Sequence, residues 1–451
     1  MKKMPEINPK IFKAYDIRGI YPVDIDEDVA YKIGRAAVLF LGAKKIAVGR
    51  DIRQSSPSLF ESLAKGITDQ GADVFDIGLA TTPMVYFASG KLDVDGAIAL
   101  TASHNPAEWN GMKICRAEAV PVGENSGLLK IRDMAIKGEF SEVGKKGEII
   151  SEEDVKKEYV DYFSSFAKFE DKKFKVVIDF ANAMGILEWE ILKNFSENLE
   201  ITALYENMDG KFPNHEANPL KTETLAELQK KVLEEKADLG MAYDGDADRI
   251  GFVDEKGEII PMDLVTAMLA RIVLEKHPGG KIFYDLRSSK AVKEIIEENG
   301  GKALECPVGH AKIKKLMRDQ SAVFAGELSG HYFFEENYKA ETSTLAAIML
   351  LNLMAETGKK ISEIVIEVKR YSHSGEINSE VENKDAVISA LKKKYSDGKI
   401  SELDGVKIEF PDWWLNVRPS NTEPVLRLNL EANTKEMMEE KRDEVLKIIR
   451  E

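Results

Sequence analysis

Apolar and polar positions follow the same order three times along the first three quarters of the chain. Short apolar runs that end in charged residues predict buried strands at residues 45–51, 175–180 and 281–287. Apolar residues at three-to-four spacing then predict helices at residues 57–70, 185–195 and 289–299. Second strands follow at residues 72–77, 199–205 and 302–306. Each block is therefore predicted to be a βαβ unit, with Ser56 and Ser288 as N-caps of the first and third helices.

A third predicted strand in each block leads into a polar loop. The strands cover residues 96–100, 239–243 and 322–325, and the loops cover residues 101–106, 244–249 and 326–331. In open α/β sheets, ligands bind beyond the carboxyl ends of the strands. Three loops that leave their sheets at the same structural place predict one shared cleft.

The pattern changes towards the end of the chain. Antiparallel strands are predicted at residues 406–410, 414–417 and 426–430, and a closing amphipathic helix at 435–450. A polar stretch at 138–154 suits a linker, and 254–258 predicts a turn between the second and third blocks. We predict an α/β protein of four domains: three related three-layer blocks with mixed sheets, and a smaller C-terminal α+β domain. The predicted domains are residues 1–150, 151–256, 257–370 and 371–451.

Composition limits the possible partners. The chain has 451 residues, which is more than one hydrophobic core accommodates, so several cores are expected. Lys and Arg total 63 and Asp and Glu total 78, which gives a net charge of −15. An acidic chain is not suited to neutralising phosphate backbones, so nucleic acid is not expected as a partner. A small anionic substrate would need a local basic pocket.

Cysteine usage and hydropathy predict a cytoplasmic protein with no membrane partner. Cys115 and Cys306 have neither the spacing of a disulfide framework nor that of a metal knuckle. Residues 1–10 are polar and lack the apolar core of a signal peptide. The most apolar stretch, 344–355, is shorter than the roughly 20 residues of a membrane span. The sequence does not specify the oligomeric state.

The segment Asp244-Gly-Asp-Ala-Asp-Arg249 places three carboxylates at alternate positions. Like charges this close are costly to bury without a cation, and a hard divalent cation with oxygen ligands fits them. A calcium loop of the EF-hand type is a second interpretation, because Glu255 falls at the twelfth position. Against it, Arg249 stands at the sixth position, where that loop needs Gly, and the flanks predict strands rather than helices. A solvated acidic turn is the third interpretation.

The segment Thr101-Ala-Ser-His-Asn-Pro106 places a serine in a tight loop after a buried strand. A serine hydroxyl is a weak nucleophile and needs a base, a metal or prior modification. An ordinary turn is the alternative, since Ser, Asn and Pro all favour turns. The chain contains no Gly-x-Ser-x-Gly elbow, which argues against an acyl-transfer hydrolase.

The segment from Arg418 to Pro424 combines a guanidinium, two hydroxyls and an amide between predicted strands. The planar fork of Arg fits phosphate, and hydroxyls can donate beside it. A polar hairpin loop is the alternative. No Walker-type phosphate loop occurs in the sequence.

A fourth polar loop, Gly326-Glu-Leu-Ser-Gly-His331, carries a carboxylate, a hydroxyl and an imidazole that suit vicinal sugar hydroxyls. A strand-to-helix turn is again the alternative. Arg18 offers another guanidinium, and Gly309 with His310 opens a predicted helix whose N-terminus could meet an anion. No His or Cys pair has the spacing of a zinc site.

Five motifs together resemble those of the α-D-phosphohexomutases, and most closely the bacterial and archaeal phosphomannomutase/phosphoglucomutases. They occur in the family's order along the whole chain: Tyr15-Asp-Ile-Arg18, Thr101-Ala-Ser-His-Asn-Pro106, Asp244-Gly-Asp-Ala-Asp-Arg249, Gly326-Glu-Leu-Ser-Gly-His331 and Arg418-Pro-Ser-Asn-Thr422. The family has three related α/β domains and a smaller C-terminal one, which agrees with the repeats described above.

The resemblance implies a role for each matching residue. Ser103 is implied as a phosphoserine, and it shares a Mg²⁺ ion with the triplet Asp244, Asp246 and Asp248. Implied contacts to the sugar 3- and 4-hydroxyls come from Glu327 and Ser329. The implied phosphate grip consists of Arg418, Ser420, Asn421 and Thr422. Implied lining residues of the cleft are Tyr15, Arg18, Arg249, Arg287, Gly309 and His310. Candidate proton-handling groups are Lys113 and His331, with His104 beside the phosphoserine.

Two positions depart from the family pattern. Arg287 stands where several relatives have Lys, and Glu341-Thr-Ser343 replaces an acidic pair that often follows the sugar loop. Neither departure removes a core motif. The second one changes residues at a helix cap or a domain contact.

The implied reaction interconverts hexose 1-phosphate and hexose 6-phosphate, with mannose, glucose or both as the sugar. It passes through the phosphoserine enzyme and a hexose 1,6-bisphosphate, which also serves as activator. A phosphoglucosamine mutase and a Mg²⁺-dependent sugar phosphatase that uses the same serine are the alternatives. A non-catalytic sugar-phosphate sensor would not need both the serine and the carboxylate triplet.

Overall fold

Four β-sheets, each with its own helices, follow one another along the chain in the computed structural model, which describes residues 7–419 and 425–450. Three sheets are mixed and the fourth is antiparallel. The predicted fold class is therefore confirmed. The described residues also form short 3-10 helices at Pro9–Ile11, Ala117–Ala119, Glu124–Ser126, Thr222–Leu225 and Glu335–Asn337.

The first sheet has the order β1-β5-β4-β2-β3-β7, and β6 pairs with β5. Its elements are β1 (Ile17–Ile20), α1 (Glu27–Leu41), β2 (Lys45–Arg50), α2 (Ser56–Asp69), β3 (Asp73–Leu79), α3 (Thr82–Lys91), β4 (Gly96–Leu100), β5 (Trp109–Arg116), β6 (Val120–Pro121), α4 (Leu128–Lys137) and β7 (Ile149–Ser151). The inner strands β2 and β4 are parallel, which puts the loop after β4 at the carboxyl edge.

The second sheet has the order β12-β11-β10-β8-β9. Its elements are α5 (Asp154–Ser164), β8 (Phe174–Asp179), α6 (Gly185–Lys193), β9 (Leu199–Leu204), α7 (Ala226–Glu235), β10 (Leu239–Tyr243), β11 (Ile250–Asp254) and β12 (Ile259–Ile260). The turn after Asp254 joins β11 to β12 inside this sheet, whereas the sequence had predicted a turn between two blocks.

The third sheet has the order β14-β13-β15-β16-β17. Its elements are α8 (Met262–Lys276), β13 (Lys281–Asp285), α9 (Lys290–Glu298), β14 (Lys302–Cys306), α10 (His310–Gln320), β15 (Phe324–Gly326), β16 (Tyr332–Phe334), β17 (Ala340–Glu341), α11 (Ser343–Thr357) and α12 (Ile361–Val368). Helix α11, the most apolar stretch of the sequence, is buried along nearly its whole length.

The fourth sheet has the order β18-β23-β22-β21-β20, and β19 pairs with β23. Its elements are β18 (Ser372–His373), β19 (Ile377–Glu380), α13 (Lys384–Lys394), β20 (Lys399–Ser401), β21 (Val406–Glu409), β22 (Trp413–Pro419), β23 (Val425–Ala432) and α14 (Lys435–Arg450). The predicted strands correspond to β21, β22 and β23. The elements β18, β19, β20 and α13 were not predicted from the sequence.

The predicted N-caps of two helices are each wrong by one residue. Helix α2 begins at Ser56 with Ser55 at the N-cap, and the Ser56 hydroxyl donates to Asp51 Oδ1 at 2.6 Å. Helix α9 begins at Lys290, and its N-cap Ser289 accepts a hydrogen bond from the Ala291 amide at 3.1 Å. Adjacent serines offer equivalent caps in sequence, and the surrounding contacts select between them.

The fourth sheet has an apolar core of its own, distinct from the one that the other three sheets share. One continuous cluster of buried side chains runs through the first three sheets, from Ala47 to Val368. The fourth sheet packs its own cluster against α13 and α14, from Leu391 to Ile449. The predicted boundaries at residues 150, 256 and 370 stay predictions. No helix in the described part of the chain is long and apolar enough to cross a bilayer.

Candidate active site

The loops that follow β4, β10 and β15 meet in one place. Ser103, on the first loop, donates from Oγ to Asp244 Oδ2 on the second loop at 2.9 Å. Asp248, also on the second loop, lies 3.3 Å from His331 Nε2 on the third. The structure therefore brings the three predicted loops together at the carboxyl edges of their sheets.

Ser103 is buried and has a left-handed backbone conformation, with φ of 51°. A non-glycine residue adopts this conformation rarely, and only when its surroundings hold it there. Its amide donates to Thr101 Oγ1 at 2.9 Å, and its Oγ accepts from Arg249 Nη2 at 2.9 Å. A side chain at Gly245 would place its Cβ 2.3 Å from the Ser103 carbonyl oxygen, so the two loops approach too closely for any residue but glycine.

The three carboxylates of Asp244, Asp246 and Asp248 are almost completely buried. Their oxygens lie within 4.8 Å of one another. Lys113, on β5, reaches Asp246 Oδ2 at 2.6 Å and Asp248 Oδ2 at 2.5 Å. Arg249 Nη2 lies 2.7 Å from Asp244 Oδ2. Lys113 and Arg249 therefore face the three carboxylates, and His331 is a third positive group beside them, 3.3 Å from Asp248 Oδ1.

The pKa values reflect this arrangement. Burial raises the pKa of Asp244 to about 7, and the neighbouring charges of Asp246 and Asp248 add to the effect. Burial alone would lower the pKa of Lys113, but Asp246 and Asp248 outweigh it and raise that pKa. Lys113 is thus held as a cation at neutral pH.

The carboxylate triplet fits an additional cation. Asp246 Oδ1 is buried and lacks a hydrogen-bond partner among the described residues, and Asp248 Oδ1 faces His331 Nε2 at 3.3 Å. Buried polar atoms are usually paired, and hard divalent cations prefer carboxylate oxygens. The three clustered carboxylates and the unpaired oxygen of Asp246 therefore match Mg²⁺. An EF-hand loop is ruled out because the flanking segments β10 and β11 are strands.

His104 lies beside Ser103, with its Nδ1 3.2 Å from Ser103 Oγ. Its Nδ1 also contacts Arg249 Nη2. Burial, Arg249 and Arg18 hold the pKa of His104 well below its usual range. A neutral imidazole that faces a guanidinium accepts a hydrogen bond, so His104 orients Arg249.

The predicted sugar loop forms a compact polar cluster. Ser329 Oγ donates to Glu327 Oε2 at 2.7 Å, and His331 Nδ1 lies 2.9 Å from the same oxygen. The Gly309 amide donates to Glu327 Oε1 at 2.8 Å. Burial alone would lower the pKa of His331, but Asp248 and Glu327 raise it to about 9. His331 therefore carries a proton at neutral pH.

The N-terminus of α10 contacts the first domain. Tyr15 donates from its hydroxyl to the Val308 carbonyl at 3.0 Å, and its ring meets His310 edge-on at 5.5 Å. Gly309 has φ of 121°, and a Cβ there would lie 2.2 Å from the Tyr15 ring. His310 Nδ1 lies 3.3 Å from Glu341 Oε1. These contacts join the first and third domains next to the sugar loop, where the His310 ring lies 6.0 Å from that of His331.

Three arginines gather around one carboxylate that the sequence analysis missed. Glu376 Oε2 lies 3.1 Å from Arg418 Nη2 and 3.4 Å from Arg287 Nη1, and its Oε1 lies 3.3 Å from Arg427 Nη1. Despite burial, the charges of Arg287, Arg418 and Arg427 lower the pKa of Glu376. Guanidiniums that converge on a carboxylate can equally receive a phosphate. Ser420, Asn421 and Thr422, predicted for the same grip, lie outside the described residues.

Thr82 and Lys314 are supporting residues that were not predicted. Thr82, at the start of α3, donates to Asp246 Oδ2 at 2.5 Å. Lys314 forms a buried ion pair at 2.9 Å with Glu341, which the sequence singled out as a departure from the family pattern. Arg18, which was predicted, donates to Asn105 Oδ1 at 2.6 Å and so contacts the serine loop. Isolated charged or hydroxyl residues carry no periodic signal, so sequence alone could not place the unpredicted ones.

This combination of three α/β domains around a serine, a carboxylate triplet and an arginine cluster defines a multidomain phosphotransferase. Models of the four phosphoglucomutase/phosphomannomutase domains match the chain: alpha/beta/alpha domains I, II and III at residues 9–142, 157–257 and 261–371, and the C-terminal domain at residues 376–448.

Relatives match over the full length. A phosphomannomutase of Methanocaldococcus jannaschii is 42% identical over 97% of both chains. A phosphomannomutase of Escherichia coli is 36% identical over 97% of this chain and 99% of its own. The crystal structure of a phosphoglucomutase/phosphomannomutase family protein of Burkholderia thailandensis superposes with a TM-score of 0.89 at 31% identity, and covers 98% of this chain and 97% of its own. The chain belongs to the phosphoglucomutase/phosphomannomutase family and is a phosphohexomutase, an intramolecular phosphotransferase.

Proposed function

We propose that the protein interconverts hexose 1-phosphate and hexose 6-phosphate through a phosphoserine at Ser103 and a hexose 1,6-bisphosphate. The observation that carries the proposal is the position of Ser103 Oγ, which lies 2.9 Å from both Asp244 Oδ2 and Arg249 Nη2. A guanidinium beside the carrier oxygen can stabilise charge on a transferring phosphoryl group.

The bonds exchange in two steps. In the first, the bond between phosphorus and Ser103 Oγ breaks, a bond to the free hydroxyl of the sugar phosphate forms, and the proton of that hydroxyl ends on Ser103 Oγ. In the second, the bisphosphate turns over, the bond between its other phosphoryl group and the sugar oxygen breaks, that group returns to Ser103 Oγ, and the serine proton passes to the sugar oxygen. Lys113 and His331 are the two proposed proton carriers, and each is held between two carboxylates.

Asp244, Asp246 and Asp248, together with an oxygen on Ser103, are proposed to hold Mg²⁺. The bound ion supplies charge neutralisation for the phosphoryl group. A phosphoserine carries about −1.5 to −2 charges, which adds negative charge beside these three carboxylates. The unpaired Oδ1 of Asp246 supports the assignment.

Substrate recognition is proposed to divide between two groups. Glu327 and Ser329 would bind vicinal sugar hydroxyls, because their oxygens lie side by side at the cleft. The phosphate that does not react would bind among the guanidiniums of Arg418 and Arg287, with His310 and Tyr15 at the opposite wall. The remaining members of the grip are the predicted residues Ser420, Asn421 and Thr422.

Both mannose and glucose phosphates are proposed as substrates. The two sugars differ at the 2-hydroxyl, whereas the contacts assigned to Glu327 and Ser329 concern the 3- and 4-hydroxyls. Turnover measured on glucose, mannose and glucosamine 1-phosphates would rank the three. The cytoplasmic location stays part of the proposal, and the free thiols of Cys115 and Cys306 are consistent with a reducing compartment.

One assay tests the reaction class. The enzyme is supplied with glucose 1-phosphate, Mg²⁺ and a catalytic amount of glucose 1,6-bisphosphate. A mutase yields glucose 6-phosphate, a phosphatase releases free phosphate, and a sensor yields neither. Free phosphate that accumulated faster than glucose 6-phosphate would contradict the proposed reaction.

A further inference from the structure

Arg53 is buried beneath the serine loop and belongs to none of the motifs described above. It lies between β2 and α2 and is 1% exposed. An arginine has five N–H donors in a fixed fork, and all five are used here. Nε donates to Asp51 Oδ2 at 3.0 Å. The terminal nitrogens donate to the carbonyl oxygens of Ser103 (2.7 Å), Asn105 (2.6 Å) and Pro106 (2.5 Å) in the serine loop and of Trp109 (3.0 Å) at the start of β5.

These bonds connect Ser103, near the beginning of the serine loop, with Trp109, just after its end. Between Ala102 and Trp109 the backbone bonds within the loop are short-range: the Asn105 amide donates to the Ala102 carbonyl and the Trp109 amide to the Pro106 carbonyl. Among the residues described around this loop, Arg53 is the one whose side chain bonds to both the Ser103 and the Trp109 carbonyls. Because Ser103 is left-handed, its conformation depends on such constraints.

Asp51 and Phe212 also contact the guanidinium. The carboxylate of Asp51 balances its charge, and the ring of Phe212 lies 5.0 Å from its Cζ atom. Phe212 belongs to the second domain, which also supplies Asp244. A Cβ at Gly210 would lie 2.9 Å from Arg53 Cα, so the second domain packs directly on this part of the first. Arg53 therefore sits where the serine loop and the metal-loop domain meet.

We propose that Arg53 is a positioning residue for phosphoryl transfer, which holds the serine loop so that Ser103 Oγ faces Asp244 and Arg249. It contacts only backbone carbonyls of the loop and never Ser103 Oγ, so it acts through geometry. The catalytic part of the proposal rests on the proposed function, in which Ser103 carries the phosphoryl group. The conformational part rests on the hydrogen bonds alone.

Arg53→Lys tests the proposal, because an ammonium keeps the charge but cannot serve four carbonyls through a planar fork. The matched control is Arg50→Lys, which alters a neighbouring arginine that pairs with Asp76 and does not contact the loop. Single-turnover transfer from the phosphorylated enzyme to glucose 1-phosphate is measured by rapid quench. Hydrogen exchange is measured by mass spectrometry on peptides that cover residues 101–109 and on the rest of the first domain.

In Arg53→Lys, transfer should slow by at least about tenfold, since misplacement by about 1 Å can cost a hundredfold. KM should stay within about twofold, because the residues that grip substrate are untouched. Exchange should rise in residues 101–109 and not elsewhere in the domain. Arg50→Lys should change none of these quantities. Wild-type transfer and unchanged loop exchange would overturn the proposal, and so would exchange that rises throughout the domain.

Phe212→Leu provides the second variant if Arg53→Lys does not fold. It removes the ring beneath the guanidinium without removing a hydrogen bond, so a smaller change in the same two readouts is expected. No change in either readout would overturn the proposal. A wild-type enzyme with neither phosphoserine nor mutase activity would instead contradict the proposed function, while loop exchange would still test Arg53.

Discussion

The hydroxyl of Ser103 lies between a carboxylate and a guanidinium, where it donates to Asp244 and accepts from Arg249. A serine hydroxyl needs such help to exchange a phosphoryl group. Ser103→Ala should therefore remove the resident phosphoryl group and lower mutase turnover by several orders of magnitude. Intact-mass measurement should show a fraction of the wild type heavier by one phosphoryl group, and none of the variant.

The control for this variant is Ser58→Ala, which alters a serine of α2 whose hydroxyl bonds to the Ser55 carbonyl and to Glu27, and not to the serine loop. Its mass distribution and its turnover should match those of the wild type. Full activity from Ser103→Ala would mean that another residue carries the phosphoryl group.

Asp246 combines a cation partner with a free oxygen. Its Oδ2 meets Lys113 at 2.6 Å, whereas its Oδ1 has no partner among the described residues. Asp246→Asn should weaken Mg²⁺ activation by at least tenfold, about 1.4 kcal/mol, because one ligand loses its charge. Lys113 keeps Asp248, so the stability loss should stay below the roughly 3–5 kcal/mol of a fully broken buried pair.

Magnesium titration of activity and urea unfolding of the metal-free protein measure the two effects of Asp246→Asn. Asp161→Asn, which alters an aspartate on α5 away from the triplet, is the control. An unchanged half-saturating Mg²⁺ concentration in Asp246→Asn would place the cation elsewhere.

At the scale of elements, the periodic parts of the chain were predictable and the short polar parts were not. The strands β2, β8 and β13 are buried apolar runs that give a clear signal, and the loops that carry function follow strands of the same kind. By contrast, β18 has two residues and β20 three, and neither contains a buried residue. Their stability comes from pairing with β23 and β21, which sequence periodicity does not report.

The residues of the site also fall into a group that the sequence predicts and a group that it does not. Ser103, Asp244, Asp246 and Asp248 stand in dense motifs and were predicted as a group. Glu376 is a single carboxylate in a polar loop, and only the fold brings Arg287 and Arg418 to it. Long-range contacts of this kind require the tertiary structure, because the partners are far apart in sequence.

Helices of three domains meet at one buried carboxyl group. Glu188, on α6, accepts hydrogen bonds from Thr81 at 2.6 Å, Thr344 at 2.8 Å and Tyr159 at 3.1 Å. Burial raises the pKa of Glu188, and these three hydroxyls offset only part of the effect. Since the folded-state pKa lies above the unfolded value, stability is lost as pH rises through the folded-state pKa.

Glu188→Gln removes this titration while keeping the size of the side chain. The free energy of unfolding of the variant should therefore rise relative to that of the wild type as the pH increases above the usual glutamate pKa of about 4.3. Urea unfolding across this range measures the difference. Glu190→Gln, on the exposed face of the same helix, is the control. A difference that falls with pH would show that the hydrogen bonds favour the charged form.

At the scale of the whole molecule, the fourth domain is attached to the third mainly through polar contacts. It has its own apolar core, and its described contacts to the third domain include Lys407 with Glu305 and the Lys290 amide with Glu431. Polar interfaces of this kind permit relative domain motion more readily than a shared apolar core does. A grip that belongs to this domain can therefore close over a substrate and release it.

Arg418, on β22, is the described member of the proposed phosphate grip, and its Nη2 lies 3.1 Å from Glu376 Oε2. A charge-assisted hydrogen bond to phosphate is worth roughly 1.5–3 kcal/mol. In the productive complex the gripped phosphate does not react, so the bond stabilises ground state and transition state alike and acts mainly on KM. Arg418→Ala should thus lower kcat/KM by at least about tenfold, mostly through KM, since 1.4 kcal/mol corresponds to a factor of ten. Arg418→Lys should restore only part of the lost kcat/KM, because an ammonium keeps the charge and loses the fork.

Arg442→Ala, on exposed α14, is the matched control and should behave as wild type in steady-state kinetics. Hydrolysis of the phosphoserine by water should change little in all three variants, because Arg418 does not contact Ser103. An unaltered KM for glucose 1-phosphate in Arg418→Ala would show that this arginine only pairs with Glu376 and that the phosphate is gripped elsewhere.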